Sequence, residues 1–181
     1  MDTIGFLELT SIAGGVKIAD EMLKTGRIEL IFAKASCPGK YYIMVHGQVS
    51  DVKSSVEKGL SLGEGFVVSS FILPKVHPQI VKAVNMTVMP EKVQSIGVME
   101  FYSVASSIQA ADTAVKSANV DLIDLRLGTG IGGKSFVVLT GDTSSVTNAV
   151  KAGIRDHLQS GMLLNYVTIA NPKKELIASL Y

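Results

Sequence analysis

The chain alternates short apolar runs of strand length with amphipathic stretches of helical length, and it does so twice. Thr3–Leu9 is rich in strand formers but alternates imperfectly, and it reads as a half-buried strand. Ile12, Val16, Ala19 and Leu23 follow at spacings of four, three and four, the stripe of one helix face. Thr10 or Ser11 is placed to cap that helix and Gly26 to end it. Ile28–Ala33 predicts a second strand and Tyr41–His46 a third, joined as a hairpin through a loop containing Ser36-Cys37-Pro38-Gly39-Lys40. Ser50-Asp51 opens a second helix with Val52, Val56 and Leu60 on one face. Phe66–Leu73 predicts a fourth strand, and Pro78–Ala83 a short closing helix. From residue 95 the order returns. Strands are expected at 95–101, 120–127, 135–140 and 162–169, helices at 103–117 and 144–156, a glycine loop at 128–133 and a tail helix at 173–180. Each half has the order β-α-β-β-α-β, so the expected class is α+β. Each half is then a ferredoxin-like variant, a four-stranded antiparallel sheet with both helices on one face.

The two halves are copies of one another. Ile4-Gly5-Phe6-Leu7-Glu8 recurs as Ile96-Gly97-Val98-Met99-Glu100, and Ala19-Asp20-Glu21-Met22-Leu23-Lys24 as Ala111-Asp112-Thr113-Ala114-Val115-Lys116. Aligning 4–31 with 96–123 gives 10 identities in 28 positions at a constant offset of 92. The offset becomes 94 at Lys40/Lys134, Gly47/Gly141, Val52/Val146 and Gly59/Gly153, so the second copy carries two extra residues in the loop matching the cysteine loop. A period of roughly 90 residues is too long for a solenoid unit. The copies are therefore expected to be two domains, 1–88 and 94–181, with a linker around Met89-Pro90-Glu91-Lys92.

Composition narrows the function classes. Hydrophobic residues make up 47% and charged residues 18% of the 181, which predicts an ordered core. The net charge is +1 with no basic block, which argues against a nucleic-acid partner. The apolar runs are too short to span a bilayer, and the first residues show no basic segment leading into an apolar one, so neither a membrane span nor a signal peptide is expected. A mean hydropathy of +0.35 with so little charge implies apolar surface to be buried between subunits. A single cysteine excludes an intrachain disulfide and suits a reducing cytosol.

Candidate chemistry is sparse. Cys37 by itself reads as a free thiol, and without a Cys-x-x-Cys pattern one chain has no cluster or zinc site of its own. Gly128-Thr129-Gly130-Ile131-Gly132-Gly133-Lys134-Ser135 matches both G-x-x-x-x-G-K-[ST] and G-x-G-x-x-G. Either motif needs a helix directly after the loop to face phosphates. Here a strand, Phe136–Thr140, is expected instead, so a nucleotide-binding enzyme is the remote reading and a compact glycine loop the nearer one. His46, His77 and His157 share no metal-ligand spacing and are read as structural or surface groups. Glu8 and Glu100, related by the repeat, are read as satisfied structural acids, and Met86, Met89 and Met99 as packing. No nucleophile–base constellation is evident, so the chain is not expected to be an enzyme.

The doubled Ile-Gly-x-x-Glu, the Ala-Asp-x-x-x-Lys closing each first helix, and the loop before a strand ending in glycine resemble the bacterial microcompartment (BMC) shell domain. Two copies in one chain resemble the tandem-domain shell proteins. Ser36-Cys37-Pro38-Gly39-Lys40 paired with Gly130-Ile131-Gly132-Gly133-Lys134 resembles the iron–sulfur-binding kind found in propanediol-utilisation compartments. The resemblance implies a cytoplasmic protein of the microcompartment shell, a homotrimer of six domains that tiles with other shell proteins. The loops after the second strand of each domain would line a central pore: Ser36, Cys37, Pro38 and Gly39 from one copy, Gly130, Ile131, Gly132 and Gly133 from the other. Lys24 and Lys116 match lysines at the edges where tiles meet. Three copies of Cys37 on the axis would hold three irons of one [4Fe-4S] cluster per trimer and leave the fourth iron open, although four cysteines are usual. Such a cluster implies electron transfer or redox sensing, with an encapsulated redox enzyme as a partner. A bare metabolite-conducting pore is the alternative.

Overall fold

A computed structural model describes residues 3–85, 88, 90 and 92–179. Met86 and Met89 lie outside the described residues. Contacts divide the chain into two units, 1–76 and 77–181.

The first unit runs β1 (Thr3–Leu9), α1 (Ile12–Thr25), β2 (Ile28–Ser36), β3 (Lys40–Gly47), α2 (Val49–Leu62) and β4 (Val67–Leu73). Its antiparallel sheet has the order β2-β3-β1-β4. Ser11 starts α1 by accepting a hydrogen bond from the Gly14 N–H at 3.1 Å. Both helices cover one sheet face, where Leu7, Leu9, Tyr41, Ile43 and Val45 meet Ile18, Ala19, Met22, Val52 and Val56. On the opposite face Phe6 stacks with Phe71 at 5.2 Å and tilts against Tyr42 at 5.7 Å.

Two expectations need correction. β1 is buried along its whole length rather than half-buried. The helices cover one of its faces and the Phe6–Tyr42–Phe71 aromatic cluster lies on the other, so both faces carry apolar residues and the sequence alternates poorly. In α1 the face packed inward is Gly15, Ile18, Ala19 and Met22, while Ile12 and Val16 of the expected stripe are exposed. The Tyr41 ring lies directly over Gly15, where a Cβ would sit 2.4 Å from Tyr41 Cδ1. The helix is drawn in by its smallest residue, and a hydrophobicity pattern gives a glycine no weight.

The second unit holds α3 (Pro78–Ala83), β5 (Ser95–Phe101), α4 (Val104–Ser117), β6 (Asp121–Leu127), β7 (Ser135–Gly141), α5 (Thr143–Arg155), β8 (Leu163–Ile169) and α6 (Lys174–Ala178). Its sheet order, β6-β7-β5-β8, repeats the first. The irregularities repeat too: register shifts fall at Leu30/Phe32 and Leu122/Asp124, and at Glu8/Leu9 and Glu100/Phe101. Gly97, like Gly5, sits where the second helix crosses the sheet, and a Cβ there would lie 2.6 Å from Val150 Cγ2.

α3 follows the first repeat in sequence, and the sequence reading placed it within 1–88. In the structure it packs against β6 and α4 of the second unit. His77 caps it through Nδ1, which accepts from the Gln79 N–H at 3.4 Å, while the His77 N–H donates to Asp112 at 2.8 Å. Gln79 reads the edge strand as a fork. Its Oε1 accepts from the Leu122 N–H at 2.7 Å, and its Nε2 donates to the Val120 carbonyl at 3.3 Å and to Asp121 at 3.2 Å.

Candidate functional site

The sheet hairpins end in two loops that the repeat makes equivalent. Pairing of β2 with β3 closes at Ser36↔Lys40, leaving three residues, Cys37-Pro38-Gly39. Pairing of β6 with β7 closes at Leu127↔Ser135, leaving seven, residues 128–134. The Cys37-Pro38 peptide is cis and Gly39 has φ 73°. Cys37 is half-buried, Pro38 and Gly39 are exposed, and a Cβ built on Gly39 would meet nothing within 4 Å. The cysteine therefore stands at a narrow tip with open space beside it.

Beneath that tip the chemistry is specific. Tyr42, fully buried, pairs across the sheet with Glu8 on one side and Lys34 on the other. Burial pushes its phenol pKa up, and the charges of Glu8 and Cys37 add to that push. The Ser36 hydroxyl works against it, although the two groups do not form a well-aligned hydrogen bond. Glu8, 3% exposed, accepts from Lys40 Nζ at 2.6 Å and from Ser69 Oγ at 2.7 Å. Lys34 lies over the Phe32 ring at 4.6 Å, and burial holds its ammonium pKa below the usual lysine value.

In the second copy Gly128, Gly130, Gly132 and Gly133 all have positive φ, between 67° and 81°, a backbone only glycine adopts without strain. Gly130 and Gly132 are exposed, Ile131 is half-buried and Gly133 is buried. The Gly133 N–H donates to the Gly128 carbonyl at 3.2 Å, folding the loop on itself. It then runs into β7, a strand, so no helix N-terminus faces it and the phosphate-cradle geometry is missing. Lys134, the last residue of that glycine motif, donates to Glu100 at 2.6 Å, as Lys40 does to Glu8. The glutamates are satisfied acids, as expected, and the lysines that satisfy them are not among the expected site residues. The signal was present, since Lys40 and Lys134 are repeat-related just as Glu8 and Glu100 are.

The other expected site residues lie elsewhere. Lys24 pairs with Asp20 and Lys116 with Asp112, each one turn along its own helix. The Asp20 hydrogen bond raises the Lys24 pKa. Of the histidines, His46 lies 3.5 Å from Glu29, His77 caps α3, and His157 stands edge-on to Phe101 at 5.4 Å.

Among the described residues no group of three or more His, Cys, Asp or Glu is placed to hold a metal ion. The Cys37 thiol, at an open tip, fits the part of one ligand among several copies. No helix among the described residues is long and apolar enough to cross a membrane.

The BMC domain family matches residues 3–76 and 95–172. The bacterial microcompartment shell protein PduT of Citrobacter freundii is 39% identical over 173 residues, spanning 96% of this chain and 94% of its own. A solved structure of a microcompartment protein from Desulfitobacterium hafniense DCB superposes with a TM-score of 0.93 at 44% identity, covering 98% of this chain and 99% of that one. The fused permuted hexameric shell protein of the RMM microcompartment superposes at a TM-score of 0.62 over 88% of this chain. At 23% identity, that likeness is one of fold.

Proposed function

This chain belongs to the BMC-domain family, as a tandem-domain protein of the bacterial microcompartment shell, and from that premise we propose that three copies close into a six-domain tile. Its central pore is lined by the two hairpin tips, and Cys37 of each copy binds one [4Fe-4S] cluster on the threefold axis. The observation that carries this reading is the asymmetry of the tips. Equivalent hairpins end in a three-residue loop with a thiol and a seven-residue loop of glycines. Around a ring they alternate, so the axis receives three thiolates and three compact glycine loops.

Three thiolates leave one iron of a cubane without a protein sulfur, and that position takes a non-cysteine ligand. When bound, such a cluster supplies one-electron chemistry, which fits electron transfer across the shell to an encapsulated redox enzyme, or redox sensing. The protein's part is to hold the sulfurs. The Lys40–Glu8–Ser69 links fix the base of the tip, and Tyr42 fills the space under it. Lys24 and Lys116 remain the candidate tile-edge contacts. Lys116 keeps its side chain 37% exposed although its partner Asp112 is buried.

Iron and acid-labile sulfide analysis of anaerobically purified protein tests the cluster. The expected result is about four irons per three chains, abolished in Cys37→Ser with the trimer mass unchanged. Iron-free, colourless protein after reconstitution would leave the tile with a bare metabolite-conducting pore. A monomer mass in light scattering would remove the tile itself.

A further inference from the structure

The repeat permits a comparison that a single domain would not. Lys75 and Asn171 are the two non-glycine residues with positive φ among the described residues, at 54° and 48°. They stand at the same point after β4 and β8, and His77 and Lys173 then occupy the N-cap positions of α3 and α6. Residue for residue, Gln79 corresponds to Glu175 and Ile80 to Leu176. α3 is seated on β6 and α4, and Ile80 is fully buried there. α6 buries no residue, and Leu176 is 40% exposed.

The two elements that α3 packs against have their own counterparts in the first unit. Val104, Ile108 and Leu122, on α4 and β6, are 1% exposed or less; the equivalent Ile12, Val16 and Leu30, on α1 and β2, are between 43% and 54% exposed. Asp112, which takes the His77 N–H, is buried, whereas Asp20 at the same position of α1 is exposed. The first unit thus presents an empty seat of the shape α3 fills, and the chain's end carries an unseated helix of the matching kind.

We propose that α6 of one copy docks on β2 and α1 of a second copy of this chain, in the register that α3 takes on β6 and α4. This rests on the ring reading above and assigns the residues that close it. The Lys173 N–H meets Asp20 of the partner copy, and Leu176 takes the place of Ile80 beside Leu30. Glu175 keeps the acceptor half of the Gln79 fork, facing the Leu30 N–H. The exposed stripe Ile12–Val16 is covered in the same event.

Val16→Glu and Leu176→Glu test this, because both side chains are exposed and neither change disturbs the fold of one chain. Each is expected to raise the trimer–monomer midpoint concentration at least about tenfold, a hundredfold change in the trimer dissociation constant shared by three seams, with the far-UV circular dichroism unchanged. A zero-length carbodiimide is expected to join Lys174 to Glu29 or Asp20 in the band of linked chains. Variants that keep the wild-type midpoint, or a Lys174 link found only in the single-chain band, overturn the docking while leaving the trimer standing. Wild-type protein that is monomeric at micromolar concentration overturns both.

Discussion

Glu8 and Glu100 are the same residue in two copies, with the same lysine partner at the same 2.6 Å, yet they differ in depth. Glu8 is buried, whereas Glu100 and Lys134 are 32% and 43% exposed in their side chains. Removing one partner of a buried pair strands a charge, while an exposed pair contributes little. Lys40→Met is therefore expected to cost about 3 kcal/mol in urea unfolding of its domain, and Lys134→Met about 1 kcal/mol or less. Equal costs would show that the two tips are supported alike. A second residue-scale prediction concerns His157, whose pKa is held below the ordinary imidazole value by burial, with Asp156 opposing. The folded state binds that proton less readily than the unfolded chain. Its contribution to stability is thus complete above the unfolded value and is lost as pH falls through the folded one. His157→Phe, which keeps an aromatic ring beside Phe101, is expected to flatten the fall in melting temperature between about pH 7 and 5. An unchanged slope would place the acid sensitivity elsewhere.

At the scale of elements, sequence pattern located strands and helices well because each run is short and bounded by turn residues. It misplaced the inward face of α1, where a glycine, which carries no hydrophobic signal, packs beside Ile18, Ala19 and Met22. α1 approaches the sheet through Gly15 against Tyr41, so the strongest apolar stripe on that helix points the other way. The counterpart of that stripe on α4 is buried. Close approach also governs α5, which crosses β5 at Gly97. Gly97→Ala would press a methyl group into Val150 and is expected to destabilise the second domain by about 1–3 kcal/mol in chemical unfolding. A neutral outcome would mean that α5 shifts freely on its sheet. The site was legible in part: the cysteine, the glycines and their loop lengths could be read from the repeat. The repeat marks Lys40 and Lys134 as well, but their pairing with the glutamates and the Gln79 fork could not be read, because they depend on cross-strand register and on which unit α3 joins.

For the whole molecule, the internal duplication separates what a single domain would have to share. In a ring of identical domains every pore position carries the same side chain. Here one copy has evolved a thiol at the tip and the other a longer glycine loop, while the sheets beneath retain the same order and the same bulges. The copies differ in loop length at the tips and in burial at the helix seats, the places that the proposed ring would bring together.

The seating of α3 within its own chain also bears on how such a tile forms in a cell. A seam between tethered domains is governed by the local concentration set by the linker, not by how many molecules the cell has made. A ring of six separate domains responds to the sixth power of their concentration. The proposed ring, closed by three tandem chains, responds to the third power of theirs, because each collision brings two domains together. If the proposed α6 docking closes the ring, complete tiles are expected at expression levels where an equally sticky single-domain version would remain in fragments. The dilution series that locates the trimer midpoint measures that advantage directly.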